Sequence, residues 1–170
     1  DLSELAEALE TEIDNDFEFQ LAKKKPLYMD VPFAFPHRWV LDKDQLSDEE
    51  TNKVHNSIAI DLDQEPRDIE LDVASIIIAT GWKPYDVTRL TNLGAGSIPN
   101  CISNMQMERL ASPNGPTRGK IQRPSDQKQP QRVCFVQCAG SRDQNHLNYC
   151  SYICCMASLK QATYIREQNP

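Results

Sequence analysis

The sequence predicts an α/β fold, and three patterns support this prediction. Residues 75–81 and 132–138 are short apolar runs, typical of strands that are buried on both faces of a sheet. Residues 57–73 alternate between apolar and polar side chains around a turn at 64–67, which predicts a β-hairpin. A helical pattern over residues 150–167 follows the second apolar run, so strands and helices share one chain.

Residues 1–56 form the first predicted segment. Apolar residues recur every three to four positions over 2–13, which predicts an amphipathic helix that ends in the turn residues 14–16. Residues 26–41 are rich in proline and aromatic side chains. Because proline breaks helices and cannot donate to a central strand, we expect an extended segment there that packs on a neighbour. Residues 42–56 are polar and predict a short surface helix and a loop.

The rest of the chain divides into three predicted segments. Residues 57–98 contain the hairpin and the first buried strand. Residues 99–131 contain a helix, capped by Asn100 or Ser103, and then a long loop rich in proline. Residues 132–170 contain the second buried strand, a polar loop and the last helix.

Composition limits the classes of function. The 170 residues carry a net charge of −7 and a pI of about 4.9, with no basic stripe. An acidic surface repels phosphate backbones, so we expect no nucleic-acid partner. No apolar stretch is long enough to span a bilayer, and no secretory leader is visible. The chain starts at Asp1 without an initiating Met, so we expect a piece of a longer protein.

The cysteines are the main chemical signal. The chain has six, and four of them follow the pattern Cys138-x11-Cys150-x3-Cys154-Cys155. Such clustering without a secretory leader favours metal binding over disulfides. A cubane iron–sulfur cluster needs one thiolate for each of its irons. The pattern therefore predicts a [4Fe–4S] cluster held by these four residues.

The predicted elements allow the four thiols to converge. Cys138 ends the second buried strand. Cys150 and Cys154 are four residues apart, so they share one face if both lie in the first helical turn. Cys155 is rotated by about 100° from Cys154 and can meet another corner of the cluster. Helix amides near Cys150 would stabilise anionic thiolates.

Other interpretations of the cysteines stay open. Zinc also binds four thiolates, although structural zinc sites favour two Cys-x2–4-Cys pairs. A redox disulfide more typically has the spacing Cys-x-x-Cys. Cys134 and Cys101 fit small core residues. His146 either orders the loop between the cysteines or is simply exposed to solvent.

A second candidate site follows the first apolar run. Residues 79–81 (ATG) are small, so a ligand can approach the backbone where the strand ends. The same residues equally fit a strand that meets a tight turn.

The residues around the cysteines resemble a known family. Residues 135–143 (FVQCAGSRD) and 149–156 (YCSYICCM) resemble the A subunit of heterodisulfide reductase. Residues 30–41, 76–85 and 161–167 extend the resemblance to the A subunit of the quinone-interacting membrane-bound oxidoreductase complexes of sulfur metabolism.

The resemblance implies a partial FAD/NAD(P)-binding fold like that of thioredoxin reductase, with an FAD beside the [4Fe–4S] cluster. It carries the ligand role onto the four cysteines named above. It implies that the turn at Ala79, Thr80, Gly81 and Trp82 contacts the flavin. It also places Lys160, five residues after the last ligand cysteine, near the flavin as the candidate catalytic residue.

The resemblance also implies partners. The intact protein would pass electrons between a quinone-linked membrane module and adenylylsulfate reductase, an oxidoreductase function in sulfur metabolism. We expect it to be cytoplasmic and to be held at the inner face of the membrane by its partner subunits. Two alternatives are an electron-bifurcating flavoprotein of the heterodisulfide reductase type and a zinc-stabilised interaction module.

One departure from the family bears on the cofactors. The Gly-x-Gly-x-x-Gly motif that holds the FAD pyrophosphate does not occur in the sequence. We therefore expect the chain to be the carboxyl-terminal portion of the flavoprotein. By itself it should bind FAD weakly and be inactive.

Overall fold

The structure is a computed structural model that describes residues 1–31, 33 and 35–169. The chain forms two compact units, Asp1–Trp82 and Lys83–Pro170. The division falls inside the predicted segment 57–98, and the four-segment division stays a prediction. Pro32 and Ala34, in the predicted extended segment 26–41, lie outside the described residues.

The first unit consists of two short helices and two small antiparallel sheets. Its regular elements are α1 (Leu2–Glu7), β1 (Ile13–Asp14), β2 (Lys23–Lys24), β3 (Leu27–Met29), β4 (Trp39–Leu41) and α2 (Asp48–His55). β1 pairs with β2, and β3 pairs with β4. The predicted extended segment thus contains two strands that pair with each other. Single 3-10 turns lie at Asp16–Glu18 and Lys43–Gln45.

α1 is shorter than the predicted helix over 2–13. Asp1 caps its amino terminus, and the side chain of Glu4 completes a capping box. The helix ends at Glu7, and Ile13 pairs with Lys24 in a sheet. The apolar period continues past the end of the helix because Leu9 is also buried. The pattern therefore indicates burial on one face correctly, but it does not mark the end of the helix.

A small apolar core holds the first unit together. Ala6, Leu9, Leu27 and Val54 are buried in it, and they come from α1, the segment after it, β3 and α2. Half-buried apolar residues surround this group: Leu2, Leu5, Trp39, Leu41, Leu46, Ile60 and Leu62. Removal of this apolar surface from water is the main driving force for the association of these elements.

A buried carboxylate ties α2 to the segment after α1. Glu50 is 2 % exposed, and its oxygens accept hydrogen bonds from the amides of Glu10, Thr11 and Ser47 at 2.7, 2.8 and 2.9 Å. The hydroxyls of Thr11 and Ser47 also donate to it, at 2.6 and 2.9 Å. These hydrogen bonds, first of all the one from the Thr11 hydroxyl, hold the pKa of Glu50 far below its usual range, although burial acts in the opposite direction.

Residues 57–82 differ from the prediction. Among the described residues of this stretch there is no strand, neither in the predicted hairpin 57–73 nor in the predicted buried strand 75–81. Ile76, Ile77 and Ile78 are 82, 88 and 83 % exposed. A strand buried on both faces needs neighbouring strands and helices that cover it, and no described part of the first unit provides them.

The second unit is built on two helices, α3 (Asn104–Ala111) and α4 (Cys154–Gln168), which pack against each other. Ser103 caps α3, and Gln106 completes its capping box, so the predicted cap at Ser103 is confirmed. The buried residues of the unit include Leu90, Met107, Leu110, Ile121 and Gln161. A single 3-10 turn lies at Val87–Arg89.

Two predictions for this unit need correction. Residues 132–138 form no strand; within this described stretch Val133 and Phe135 are half-buried, whereas Val136 and Cys138 are exposed. The last helix begins at Cys154 and not near residue 150. None of the helices in the described part of the chain is long and apolar enough to cross a membrane.

Candidate metal centre

The four clustered cysteines lie in one segment, residues 138–155, which we call the cysteine loop. It runs from the end of the predicted second strand to the first turn of α4. All four cysteines have free thiols; Cys154 is half-buried and the others are exposed. Four accessible thiols are thus available to a ligand that prefers sulfur.

Backbone hydrogen bonds close the cysteine loop on itself. The amide of Leu147 donates to the carbonyl of Gly140 at 3.0 Å, and the amide of Arg142 donates to the carbonyl of Tyr149 at 3.1 Å. These bonds cross from the arm that follows Cys138 to the arm that precedes Cys150. The two arms are therefore neighbours, although eleven residues separate the two cysteines.

A side-chain contact extends this closure past Cys150. The hydroxyls of Ser141 and Ser151 lie 3.3 Å apart, which is within hydrogen-bond distance. Ser141 is three residues after Cys138, and Ser151 directly follows Cys150. The loop closure that the cysteine spacing requires is thus present in the fold.

The thiols themselves do not converge. Within residues 1–31, 33 and 35–169, no three His, Cys, Asp or Glu side chains form a group that could hold a metal ion. Sγ of Cys150 accepts a hydrogen bond from the amide of Tyr152 at 3.4 Å and so stays within its own turn. Metal sites are completed by the metal–ligand bonds, which supply the free energy that gathers the ligands.

The donor set nevertheless fits a sulfur-bound metal group. Thiolates select zinc and iron–sulfur clusters, whereas magnesium and calcium prefer oxygen. Cys138 has a φ of 55°, in the left-handed region that residues other than glycine rarely adopt. Tyr152, between Cys150 and Cys154, has a φ of 57°. Such values are common at binding sites and re-aim side chains away from a regular path.

The amino terminus of α4 adds a favourable electrostatic feature. Cys154 and Cys155 are the first two helical residues, and Ile153 before them has no side-chain acceptor to cap the helix. The first turn contains no acidic residue. The exposed amides and the helix dipole therefore favour anionic sulfur at these two positions. The effect expected near Cys150 lies at Cys154 instead, because the helix begins four residues later.

Lys160 lies on α4 among polar partners. Its Nζ is 2.9 Å from Oε1 of Glu108, and it lies 5.6 Å from the centroid of the Tyr164 ring. The hydrogen bond with Glu108 raises the pKa of Lys160, so the side chain stays charged at neutral pH. The same Oε1 of Glu108 accepts from Nε2 of the buried Gln161 at 2.9 Å. Glu108 thus fixes Lys160 to the contact between α3 and α4.

Glu108→Ala is expected to lower the pKa of Lys160, because the largest contribution to its raised value disappears. The titration of the Lys160 side chain, followed by NMR of its Cε and Nζ nuclei, measures this change. Glu167→Ala is the control, since residue 167 lies about 10 Å further along α4. An unchanged pKa in Glu108→Ala would show that the ion pair does not persist in solution.

The predicted flavin-contacting turn belongs to the first unit, whereas Lys160 and the cysteines belong to the second. Ala79, Thr80, Gly81 and Trp82 are all exposed. Gly81 has a φ of 69°, and a Cβ built on it meets no atom within 4 Å. The turn therefore needs glycine for its backbone conformation, and the space beside it is open.

The two remaining cysteines are also exposed, so the expectation that they are core residues is wrong. Cys101 and Cys134 both line one cavity of the second unit, with a volume of about 370 Å³. Sequence reasoning also missed Tyr85, whose ring contacts the cysteine loop at His146 and Gly140. No periodicity or motif marks Tyr85, because its partners lie more than 50 residues away.

The chain is similar to subunits of an oxidoreductase. It is 38% identical over 97% of its length to the iron–sulfur A subunit, first of two, of the CoB–CoM heterodisulfide reductase of Methanopyrus kandleri. It is 39% identical over 94% to the A subunit of the H2:CoB-CoM heterodisulfide,ferredoxin reductase of Methanothermobacter marburgensis. It is 36% identical over 94% to the A subunit of the ferredoxin/F420H2-dependent enzyme of Methanosarcina acetivorans.

The chain spans 26%, 24% and 20% of the lengths of these three relatives. No model of a known protein family matches it. The alignments cover nearly the whole chain, so they include the cysteine loop and both units. The similarity therefore supports an iron–sulfur oxidoreductase role and concerns one part of such a protein.

Proposed function

We propose that the chain is part of an electron-transfer protein of the heterodisulfide reductase A-subunit type, and that Cys138, Cys150, Cys154 and Cys155 bind one [4Fe–4S] cluster. The observation that supports this most is the closed cysteine loop with four free thiols, two of them at an uncapped helix terminus. The similarity to iron–sulfur subunits points to the same chemistry.

The chain's own contribution would be to bind and tune the cluster. When bound, a [4Fe–4S] cluster accepts and donates single electrons. Its potential depends on its net charge, on hydrogen bonds to its sulfurs and on exposure. The amides of the first turn of α4 provide positive partial charge beside Cys154 and Cys155. They would favour the more negative, reduced state.

We extend the proposal to FAD and to a thioredoxin-reductase-like domain in the longer protein. The open turn at Ala79, Thr80, Gly81 and Trp82 leaves room for a flavin to approach the backbone. The exposed apolar residues of 75–81 need cover, and a strand in a larger sheet would provide it. Lys160 is charged and would stabilise an anionic reduced flavin if it lay beside one.

The electron partners are the finer part of the proposal. The resemblance of residues 30–41, 76–85 and 161–167 supports a complex that links quinones to adenylylsulfate reductase, peripherally bound to the cytoplasmic face of the membrane. The names of the relatives favour the second candidate, a heterodisulfide reductase that passes electrons to a disulfide or to ferredoxin. The cysteine loop fits both equally.

Purification of the longer protein under anaerobic conditions, with its bound partners, would separate the two candidates. The first candidate predicts membrane-associated partners and electron exchange with both a quinone analogue and adenylylsulfate reductase. The second predicts reduction of a heterodisulfide substrate and no exchange with adenylylsulfate reductase. Failure to exchange electrons with any of these acceptors, with cofactors present, would contradict the electron-transfer function.

A further inference from the structure

The ring of Tyr85 lies against a part of the cysteine loop that contains no thiol. Tyr85 is half-buried and lies just before the 3-10 turn Val87–Arg89. Its hydroxyl is 2.5 Å from Nδ1 of His146, and the two rings meet edge to face with centroids 5.7 Å apart. A hydrogen bond and an aromatic contact thus join two side chains that are 61 residues apart in sequence.

The same ring packs on the backbone of Gly140. A Cβ built at Gly140 would lie 2.7 and 2.8 Å from two ring carbons of Tyr85, closer than real contacts allow. Gly140 is buried and has a φ of 80°, in the left-handed region. Both the space and the conformation therefore require glycine. The guanidinium of Arg89 lies 5.6 Å from the centroid of the Tyr85 ring and stabilises its position.

These contacts reach both arms of the cysteine loop. Gly140 is two residues after Cys138, and His146 is four residues before Cys150. We propose that Tyr85 and His146 are positioning residues, which hold the two arms together so that Cys138 and Cys150 can bind the same cluster. This inference rests on the proposed function, since it assigns the residues that prepare its metal site.

The physical reason is the entropy of loop closure. The cost of bringing two ligands together grows with the logarithm of the number of residues between them, and eleven residues separate Cys138 from Cys150. The contacts with Tyr85 exist without a metal, so part of that cost is met before iron binds. Loss of the hydroxyl would leave Nδ1 of His146 without this partner and loosen the loop.

Two ring-conserving variants isolate the contact. Tyr85→Phe keeps the ring against Gly140 but removes the hydroxyl, and His146→Phe keeps a ring but removes Nδ1. Tyr28→Phe, which removes a hydroxyl in the first unit, is the matched control. The chain of residues 1–170 is reconstituted anaerobically with ferrous iron and sulfide. The rate at which an iron chelator removes the cluster is then measured, with the electron paramagnetic resonance (EPR) spectrum of the reduced state.

We expect each single variant to lose iron roughly three- to tenfold faster than the wild type, since one hydrogen bond corresponds to this range. Its reduced-state spectrum should be broadened by a less uniform cluster environment. The double variant should lose iron no faster than the faster single variant, because both changes remove the same interaction. Tyr28→Phe should match the wild type.

Amide hydrogen exchange before reconstitution gives a second measurement that needs no metal. The amides of Arg142, Asp143 and Leu147 donate hydrogen bonds inside the loop and should exchange faster in Tyr85→Phe. The amides of α4 report whether the variant is folded. Faster exchange confined to the loop supports the positioning role.

The outcomes separate this inference from the proposed function. If the wild type binds iron and Tyr85→Phe has the same rate of iron loss and the same spectrum, the positioning role is wrong and the cluster assignment stands. Additive effects in the double variant would also overturn it. If the wild type takes up no iron, both the proposed function and this inference fail.

Discussion

Replacement of Cys154 by serine is expected to abolish the iron–sulfur cluster. A serine hydroxyl is a harder donor than a thiolate and is protonated at neutral pH, so one corner of the cluster would lose its protein ligand. The chain should change from roughly four irons and four sulfides per molecule to almost none after anaerobic reconstitution. Iron and acid-labile sulfide analysis and the visible spectrum measure this loss. The same result is expected for Cys138, Cys150 and Cys155.

The two other cysteines provide matched controls. Cys101 and Cys134 are exposed thiols of the same unit but lie outside the cysteine loop, so their serine variants should retain the full cluster. Cys155 is the most informative position, because a pair of adjacent ligands is unusual outside this pattern. A Cys155→Ser variant with an unchanged cluster would contradict the four-ligand assignment.

Replacement of Glu50 by glutamine is expected to have the second largest effect, a loss of about 3 kcal/mol or more in the stability of the first unit. The carboxylate of Glu50 accepts five hydrogen bonds from three residues, and hydrogen bonds to a charged group contribute about 1.5–3 kcal/mol each. An amide group would turn N–H donors towards other donors. Urea unfolding followed by tryptophan fluorescence measures the change, because Trp39 and Trp82 both belong to this unit.

Glu49→Gln is the control for that variant. Glu49 precedes Glu50 on α2, and its side chain is 81 % exposed beside Lys53. An exposed ion pair contributes little, so the stability should change by less than about 0.5 kcal/mol. If both variants were equally stable, the buried hydrogen bonds of Glu50 would not stabilise the unit.

The pH dependence of stability has a defined sign. The pKa of Glu50 is depressed in the folded state, so the folded unit binds fewer protons than the unfolded chain near the unfolded pKa of about 4.3. Its contribution is fully present above that value and is lost as the pH falls towards the folded pKa. The free energy of unfolding should therefore decrease with acidification in the wild type more steeply than in Glu50→Gln.

The elements that could be predicted from sequence are those with local signals. Ser47 with Glu50 and Ser103 with Gln106 form capping boxes at the starts of α2 and α3, and both helices lie where the pattern predicts. The pairing of residues around 27–29 and 39–41 was not predicted, because the prolines between them obscure the hairpin. The predicted start of α4 is four residues too early, because the sequence before Cys154 has no capping residue.

The predicted strands depended on non-local partners. The apolar runs at 75–81 and 132–138 have the composition of buried strands, but a strand forms only when other strands bond to its edges. Among the described residues no such neighbours are present, and the runs are extended without pairing. The α/β fold with an FAD-binding domain therefore stays a prediction.

The candidate site was predictable to the level of its donors. The spacing of the cysteines and the need for loop closure follow from the sequence, and the structure contains that closure at Gly140 and Leu147. The convergence of the thiols was not observed, since ligand bonds to a metal supply the energy for it. The contact of Tyr85 with His146 could not be predicted, because no local pattern connects residues 61 positions apart.

The most direct test of the central claim is metal analysis of residues 1–170 after anaerobic reconstitution in the presence of iron, sulfide and zinc. The cluster assignment predicts roughly four irons and four acid-labile sulfides per chain, with a cluster EPR signal upon reduction. Air must be excluded because exposed thiolates oxidise. Stoichiometric zinc without iron or sulfide would contradict the assignment and would support a zinc-stabilised interaction module.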